Sequence, residues 1–295
     1  MSNTEKIWTI SELLHWATDD FGKRELSSPR LDAELLLAHA LKMPRIQLYA
    51  DFDRPATPTE LEIFRNAVLR RRQGEPVAYL IGTKGFWSFD VSVDSRVLIP
   101  RPETELLVEE ALKRLDKETP QIVIDVGTGT GVIALAIAKE TDAKVAGVDL
   151  SNDALDVARN NALQLGLSDR ITWFESDLLQ GVESPWNQPN MIVSNPPYVA
   201  TELNEGLEEA VKRFEPSLAL FAGPDGMDIL KRLIPQSYKA LLPSGWFLCE
   251  IGSQQRDEVF ELFSQAGFET IEVCEDLAGH PRCVCAQKQA EGSHG

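Results

Sequence analysis

Residues 121–140 read QIVIDVGTGTGVIALAIAKE, and the fold turns on the change of pattern in the middle of that stretch. Ile122, Val123, Ile124 and Val126 form a short apolar, β-branched run, and from Val132 onward the apolar residues continue at a length that suits a helix. Between the two stand Asp125 and then Gly127-Thr128-Gly129-Thr130-Gly131. Glycines allow a tight turn and a close approach to a ligand, and the N-terminus of the helix that follows offers unpaired N–H groups. The dinucleotide fingerprint G-x-G-x-x-G is not met, because the third glycine arrives one residue early. Downstream, strand-like and helix-like segments alternate: KVAGVDL then DALDVARNNALQLG, ITWFES, NMIVSN, GWFLCEI, and a last pair near FETIEVCE and RCVCAQK. That alternation predicts an α/β fold with a mostly parallel sheet covered on both faces, its ligand at the carboxyl ends of the strands.

Those strand ends carry chemistry. The second ends at Asp149, about 20 residues beyond the glycine loop, where a carboxylate can accept from both hydroxyls of a ribose. The third ends at Asp177, placed to accept from an adenine amino group, with Leu150 and Leu178 to pack on the ring faces. Together with D-x-G-x-G-x-G, these strand ends resemble the class I S-adenosylmethionine-dependent methyltransferases, a Rossmann-like fold. The fourth strand runs into MIVSNPPYVA (Met191–Ala200), where two prolines remove backbone donors and stiffen the turn. The turn Asn195-Pro196-Pro197-Tyr198 resembles that of methyltransferases which alkylate a planar, conjugated nitrogen. Such a nitrogen is a poor nucleophile, so a site must accept its N–H bonds and hold it in line with the methyl group. The Asn195 side-chain oxygen and the Pro196 carbonyl can each take one N–H, and Tyr198 can lie against the planar face.

The flanking segments narrow the resemblance. SRVLIPRPETELLVE (95–109), SPRLDAELLL (28–37), RRRQGEPVAYLIG (70–82) and RFEPSLAL (213–220) closely resemble the protein-(glutamine-N5) methyltransferases that modify peptide-chain release factors, the HemK or PrmC family, from about residue 9 to Gln287. The resemblance implies a helical domain that recognises class-1 release factors, a hairpin linker, and a catalytic domain that methylates the glutamine of a Gly-Gly-Gln loop. It assigns Gly127, Thr128, Gly129, Thr130, Gly131, Asp149, Leu178 and Asn195 to S-adenosyl-L-methionine, with S-adenosyl-L-homocysteine as product and no metal. It assigns Asn195, Pro196, Pro197 and Tyr198 to the glutamine. Lys84 departs from the pattern, since the family commonly has an acidic residue before the aromatics. Arg101 and Glu103 are candidates to border the pocket, beside their ordinary role in starting a helix with Pro102 near its first position.

The N-terminal part reads as a separate helical module, residues 1–76. Thr9 with Glu12 makes a capping box ahead of Ile10, Leu13, Leu14, Ala17 and Phe21; Ser28-Pro29 starts a second helix; Thr57, Pro58 and Glu60 start a third. Residues 77–100 then read as β-type, AYLIG followed by FWSFDVSV, a hairpin that links to a catalytic domain at 101–290. The first 76 residues are not needed to build the sheet, so they are expected to supply substrate recognition.

Composition limits the partners. The net charge of −17 repels polyanions, and the one basic run, Arg70-Arg71-Arg72, suits a helix C-terminus. Neither nucleic-acid nor membrane binding is expected, and the absence of a secretory signal or an apolar span points to the cytoplasm. Cys249, Cys274, Cys283 and Cys285 read as strand cysteines, with Cys283 and Cys285 on one face. An adenine-N6 or other nucleic-acid amino methyltransferase shares the Asn-Pro-Pro-Tyr turn but calls for a basic groove. A non-catalytic S-adenosylmethionine-binding regulator calls for a decayed site, and both motifs here are complete.

Overall fold

The computed structural model describes residues 7–116, 118–202 and 208–290. The chain forms two compact units, residues 1–83 with 209–214, and residues 84–208 with 215–295; the first six residues of the expected helical module lie outside the described ones.

The first unit is helical: α1 (Ile10–Gly22), α2 (Pro29–Leu41), α3 (Gln47–Ala50), α4 (Pro58–Arg71) and α5 (Val77–Ile81), with α9 (Glu209–Phe214) contributed from much later in the chain. Reciprocal capping boxes start α1 and α4, Thr9 with Glu12 and Thr57 with Glu60, so the orphan N–H groups of the first turns are satisfied locally. Leu14, Phe21, Leu36, Leu37, Leu48 and Phe64 are fully buried in its core. The segment AYLIG is helical, not β-type. Pro76 precedes α5 and Gly82 closes it in the left-handed region at φ 76°, and such a start and stop outweigh a short apolar run that has no period of its own.

Each arginine of the basic run is matched. Arg70 Nε donates to Glu75 Oε2 at 2.7 Å. Arg72 donates to both oxygens of Asp20 at 2.8 and 2.7 Å. Arg71 is buried, and donates from Nε to Asp32 Oδ2 at 2.8 Å and from Nη1 to the Glu75 carbonyl at 3.1 Å. The run therefore knits helices together and is not a free basic patch.

The second unit begins with a hairpin, β1 (Thr83–Phe86) and β2 (Phe89–Ser92), followed by α6 (Thr104–Arg114), β3 (Ile122–Val126), α7 (Val132–Glu140), β4 (Lys144–Asp149), α8 (Asn152–Gln164), β5 (Ile171–Glu175) and β6 (Met191–Ser194). After α9 come α10 (Asp228–Ala240), β7 (Trp246–Glu250), α11 (Arg256–Ala266), β8 (Thr270–Glu275) and β9 (Pro281–Gln287). The sheet order is β5-β4-β3-β6-β7-β9-β8. Strands β3 to β7 pair in parallel and β9 runs antiparallel to β7 and β8, the mostly parallel sheet expected from the alternation. Every residue from Val132 to Ala138 is buried, which is why α7 shows no polar face. Helix α6 starts at Thr104, two residues beyond Pro102, because Arg101, Pro102 and Glu103 form a turn whose carbonyls accept from Thr104, Glu105 and Leu106 N–H. The hairpin is tied into this unit: Trp87 N–H donates to Glu105 Oε1 at 2.8 Å, and Ser92 exchanges hydrogen bonds of 2.7 and 3.1 Å with the Asn161 side chain. Among the described residues no helix is long and apolar enough to cross a membrane.

Replacing Asp32 with Ala strands the Arg71 guanidinium in the interior of the first unit. We expect a loss of about 3–5 kcal/mol in urea unfolding, and a loss below about 1 kcal/mol would mean that the guanidinium escapes to water.

Candidate functional site

Parallel register assembles the site. Val126 pairs with Val148 on one side and Ser194 on the other, and Ser194 pairs with Cys249. The residues that follow, Gly127, Asp149, Asn195 and Glu250, therefore emerge at one edge of the sheet. A cavity opens there, walled by Gly127, Gly129, Asp149, Leu150, Asp177, Leu178, Asn195 and Pro197 among others. Of the residues singled out in the sequence, Thr128, Thr130, Gly131, Pro196 and Tyr198 are not on that wall. Thr128 and Thr130 are buried: the Thr128 hydroxyl donates to Asp125 Oδ2 at 2.6 Å, and the Thr130 carbonyl accepts from Asn161 at 3.0 Å. They hold the loop from behind. Arg101 and Glu103 do not reach the cavity wall either; Arg101 Nη2 donates to Glu215 Oε1 at 2.6 Å, and that partner lies too far along the chain to be read from sequence.

The Gly127, Gly129 and Gly131 backbones all have positive φ, at 72°, 54° and 84°, which side-chain-bearing residues adopt at a cost. This geometry lets Gly129 N–H donate to Asp149 Oδ2 at 2.9 Å, while Ser151 N–H donates to Oδ1 at 2.9 Å. Each carboxylate oxygen keeps a lone pair for a ligand hydroxyl. Leu150 is 51% exposed and Leu178 holds a left-handed backbone at φ 55°, so two apolar side chains border a cavity that can take a planar ring. Asp177 is held by Arg232 through Oδ2 at 2.5 Å, an ion pair that the sequence pattern did not reveal.

Behind Asn195 lies a chain of polar contacts. Asn195 Nδ2 donates to Thr104 Oγ1 at 3.1 Å, the Thr104 hydroxyl donates to Glu250 Oε2 at 2.7 Å, and the Tyr198 hydroxyl lies 3.4 Å from Glu250 Oε1. Thr104 and Glu250 do not stand out in the sequence as site residues. Their signal was present but general: a hydroxyl at a helix start and a carboxylate ending an apolar strand, GWFLCEI. Gln255 Nε2 donates to the carbonyls of Tyr198 and Gly226 at 3.0 and 3.2 Å. A Cβ on Gly226 would come within 2.4 Å of the Tyr198 carbonyl oxygen, so only glycine lets the two segments lie together.

Burial raises several of these groups. It pushes Glu250 up to about 7, opposed by the Thr104 hydroxyl and the charge of Arg282. It pushes Tyr198 up to about 12, aided by the charge of Glu250, and it raises Asp149. Away from the cavity wall, Cys283 and Cys285 share a strand face with sulfurs 3.6 Å apart. Glu110, Cys274 and Cys285 have potential ligand atoms within 4.8 Å of one another, but the Glu110 oxygens already accept from Lys113 and Arg114.

The chain matches the PrmC N-terminal domain over residues 12–82 and the methyltransferase small domain over 102–214. It is 43% identical to the release factor glutamine methyltransferase of Rhodopirellula baltica, with 95% of this chain and 97% of that one covered. It is 38% identical to the enzyme of the same name from Geobacter sulfurreducens, over 96% and 98% of the two chains. Among solved structures, a methyltransferase from Pyrococcus furiosus shares the fold at a TM-score of 0.52 and 14% identity, covering 76% of this chain and 98% of that one.

Asp125 gives the site a thermodynamic signature. It is wholly buried, its Oδ1 has no hydrogen-bond partner among the described residues, and burial pushes it up to about 7, with the charge of Asp149 adding to the effect. Because the folded value exceeds the unfolded one, the folded state binds more protons between about pH 4 and about pH 7, and the contribution of this carboxyl to stability declines across that window and is constant above it. Asp125→Asn removes the titration. The unfolding free energy of wild type relative to the variant is expected to fall from pH 4.5 to 7 and then level; a flat difference would mean an ordinary carboxyl.

Proposed function

Because the chain belongs to the release factor glutamine methyltransferases, we propose that it transfers the methyl group of S-adenosyl-L-methionine to the side-chain amide nitrogen of the glutamine in the Gly-Gly-Gln motif of class-1 peptide-chain release factors, releasing S-adenosyl-L-homocysteine. The observation that carries this reading is the placement of Asn195 on the wall of a cavity shared with Asp149 and the glycine loop.

The cavity suits the cofactor. The free lone pairs of Asp149 accept from the ribose hydroxyls, Leu150 and Leu178 cover the adenine faces, and Asp177 accepts from the adenine amino group while Arg232 holds its other side. Gly127 and Gly129 bring the backbone close, and Thr128, Thr130 and Gly131 keep the loop in shape. Bound S-adenosylmethionine supplies a methyl group already activated by a sulfonium charge. The task of the protein is to present a weak nucleophile. Asn195 Oδ1 and the Pro196 carbonyl accept the two N–H bonds of the glutamine amide, Pro197 stiffens the turn, and Tyr198 lies against the amide plane, which holds the nitrogen in line for transfer. No strong base is needed, since the nitrogen becomes far more acidic as the C–N bond forms and releases its proton to solvent.

A glutamine side chain offers little surface for discrimination, so the helical unit is assigned to recognition of the release factor. The reaction belongs with translation in the cytoplasm. The charge of −17 counts against a nucleic-acid substrate.

Labelled methyl from S-adenosylmethionine is expected on a glutamine of purified release factor and not on duplex DNA or RNA; label on nucleic acid alone would overturn the proposal. Asn195→Ala should lower kcat by a factor on the order of 10² to 10³ with little change in cofactor affinity. Asp149→Ala should instead weaken cofactor binding in calorimetry, and unchanged affinity would remove the ribose contact from the scheme.

A further inference from the structure

An asparagine amide has a donor end and an acceptor end that look alike in shape, and only the acceptor end is useful against the N–H bonds of a glutamine. The structure contains a device that decides which end is presented. Thr104 and Glu250 are each 3% exposed, so no bulk water competes for their hydrogen bonds. A threonine hydroxyl has one proton to give. With Glu250 ionised, that proton goes to Oε2, the 2.7 Å contact, and Oγ1 is left as an acceptor facing Asn195. Only the NH₂ end of the amide can meet it, as in the 3.1 Å contact observed. The Oδ1 end must then point to the opposite side, toward the substrate. With Glu250 protonated, the carboxyl can donate to Oγ1 and the hydroxyl proton can turn to Asn195, so the amide can flip and set donor against donor at the substrate.

From this geometry we infer that Thr104 and Glu250 are positioning residues that polarise the Asn195 amide, and that a proton on Glu250 turns the site off. The inference rests on the methyl-transfer reading above. Thr104 bonds Asn195 directly and Glu250 reaches it through Thr104, and neither side chain lines the cavity. Glu250 is faced by Thr104 and Glu103 from the start of α6, by Tyr198 from the turn after β6, and by Arg282 on β9, which Asp276 holds at 2.8 Å; Cys283 is its register partner on β9. Burial is the largest influence among these, followed by the Thr104 hydroxyl and the Arg282 charge, and places the carboxyl at about 7. The site should be on above that value and off below it, so the acid limb of the rate profile lies near neutrality, well above an ordinary carboxyl.

The test is methyl transfer to intact release factor by the full-length enzyme from pH 5.5 to 9, with cofactor affinity measured by calorimetry and folding by thermal melts. Wild type should lose kcat/KM below about pH 7. Thr104→Val should lower kcat roughly 10- to 100-fold at pH 8, leave cofactor affinity unchanged, and abolish the acid limb, because Glu250 no longer communicates with Asn195. Thr104→Ser should restore both rate and limb. Glu250→Gln keeps a carbonyl that can accept from Thr104 but does not titrate, so its profile should be flat between pH 6 and 8. A kcat within about twofold of wild type for Thr104→Val, or an unchanged acid limb in folded Glu250→Gln, would overturn the inference. If Glu250→Gln does not fold, the Thr104 pair decides alone. Failure of wild type to label release factor at any pH would instead refute the reading on which the inference depends.

Discussion

The hydrogen-bond register between parallel strands is the constraint on which the site depends. Strands β3, β4, β6 and β7 are fixed against one another by pairs such as Ile124 with Ala146 and Ile192 with Phe247, all fully buried. A slip of one residue in any strand would turn its side chains to the opposite face and move its terminal residue along the sheet edge. Because both faces are apolar and covered, the register is held by the core, and the polar strand ends inherit their mutual distances without bonding directly to each other. Four segments far apart in sequence thereby become one edge.

The same burial that fixes the register sets the electrostatics. Asp125 sits at the penultimate position of β3 and Glu250 at the last position of β7, where the apolar sheet gives way to the cavity, and both lie close to neutrality because little water reaches them. Elsewhere in the chain the carboxylates are handled differently. Asp20 is drawn below the usual range by its bond to Arg72, and Asp276 is brought down to about 2 by Arg282 and two backbone N–H groups. Carboxylates such as Asp20 and Asp276 are held by arginines away from the cavity, whereas Asp125 and Glu250, buried without an ion pair, lie just behind its wall, a placement expected where chemistry is sensitive to proton occupancy.

What could be read from the sequence was what has a short-range cause. Thr9 with Glu12 and Thr57 with Glu60 announce their helices because capping is completed within four residues, and the strand ends at Asp149 and Asn195 stand out because polar residues close apolar runs. The exceptions are also physical. AYLIG lacks a period, so only Pro76 and Gly82 distinguish helix from strand. Thr104 and Glu250 are separated by 146 positions, Arg101 and Glu215 by 114, and no pattern within either segment encodes the pairing. The separation of roles inside the glycine loop, with Gly127 and Gly129 on the wall and Thr128 and Thr130 behind it, depends on which way a turn rolls.

Helix α9 has a consequence for how the protein is made. It counts with the first unit although more than a hundred residues of the second precede it in the chain, and Arg213 donates to the Gln73 carbonyl at 3.2 Å while Phe214 lies against Gly74. During synthesis, which runs from the N-terminus at about 5–20 residues per second, the five early helices emerge before this last piece, which follows only after residues 84–208 of the second unit. The helical unit is thus begun early and finished late, and its completion waits on the strands β1 to β6 that interrupt it.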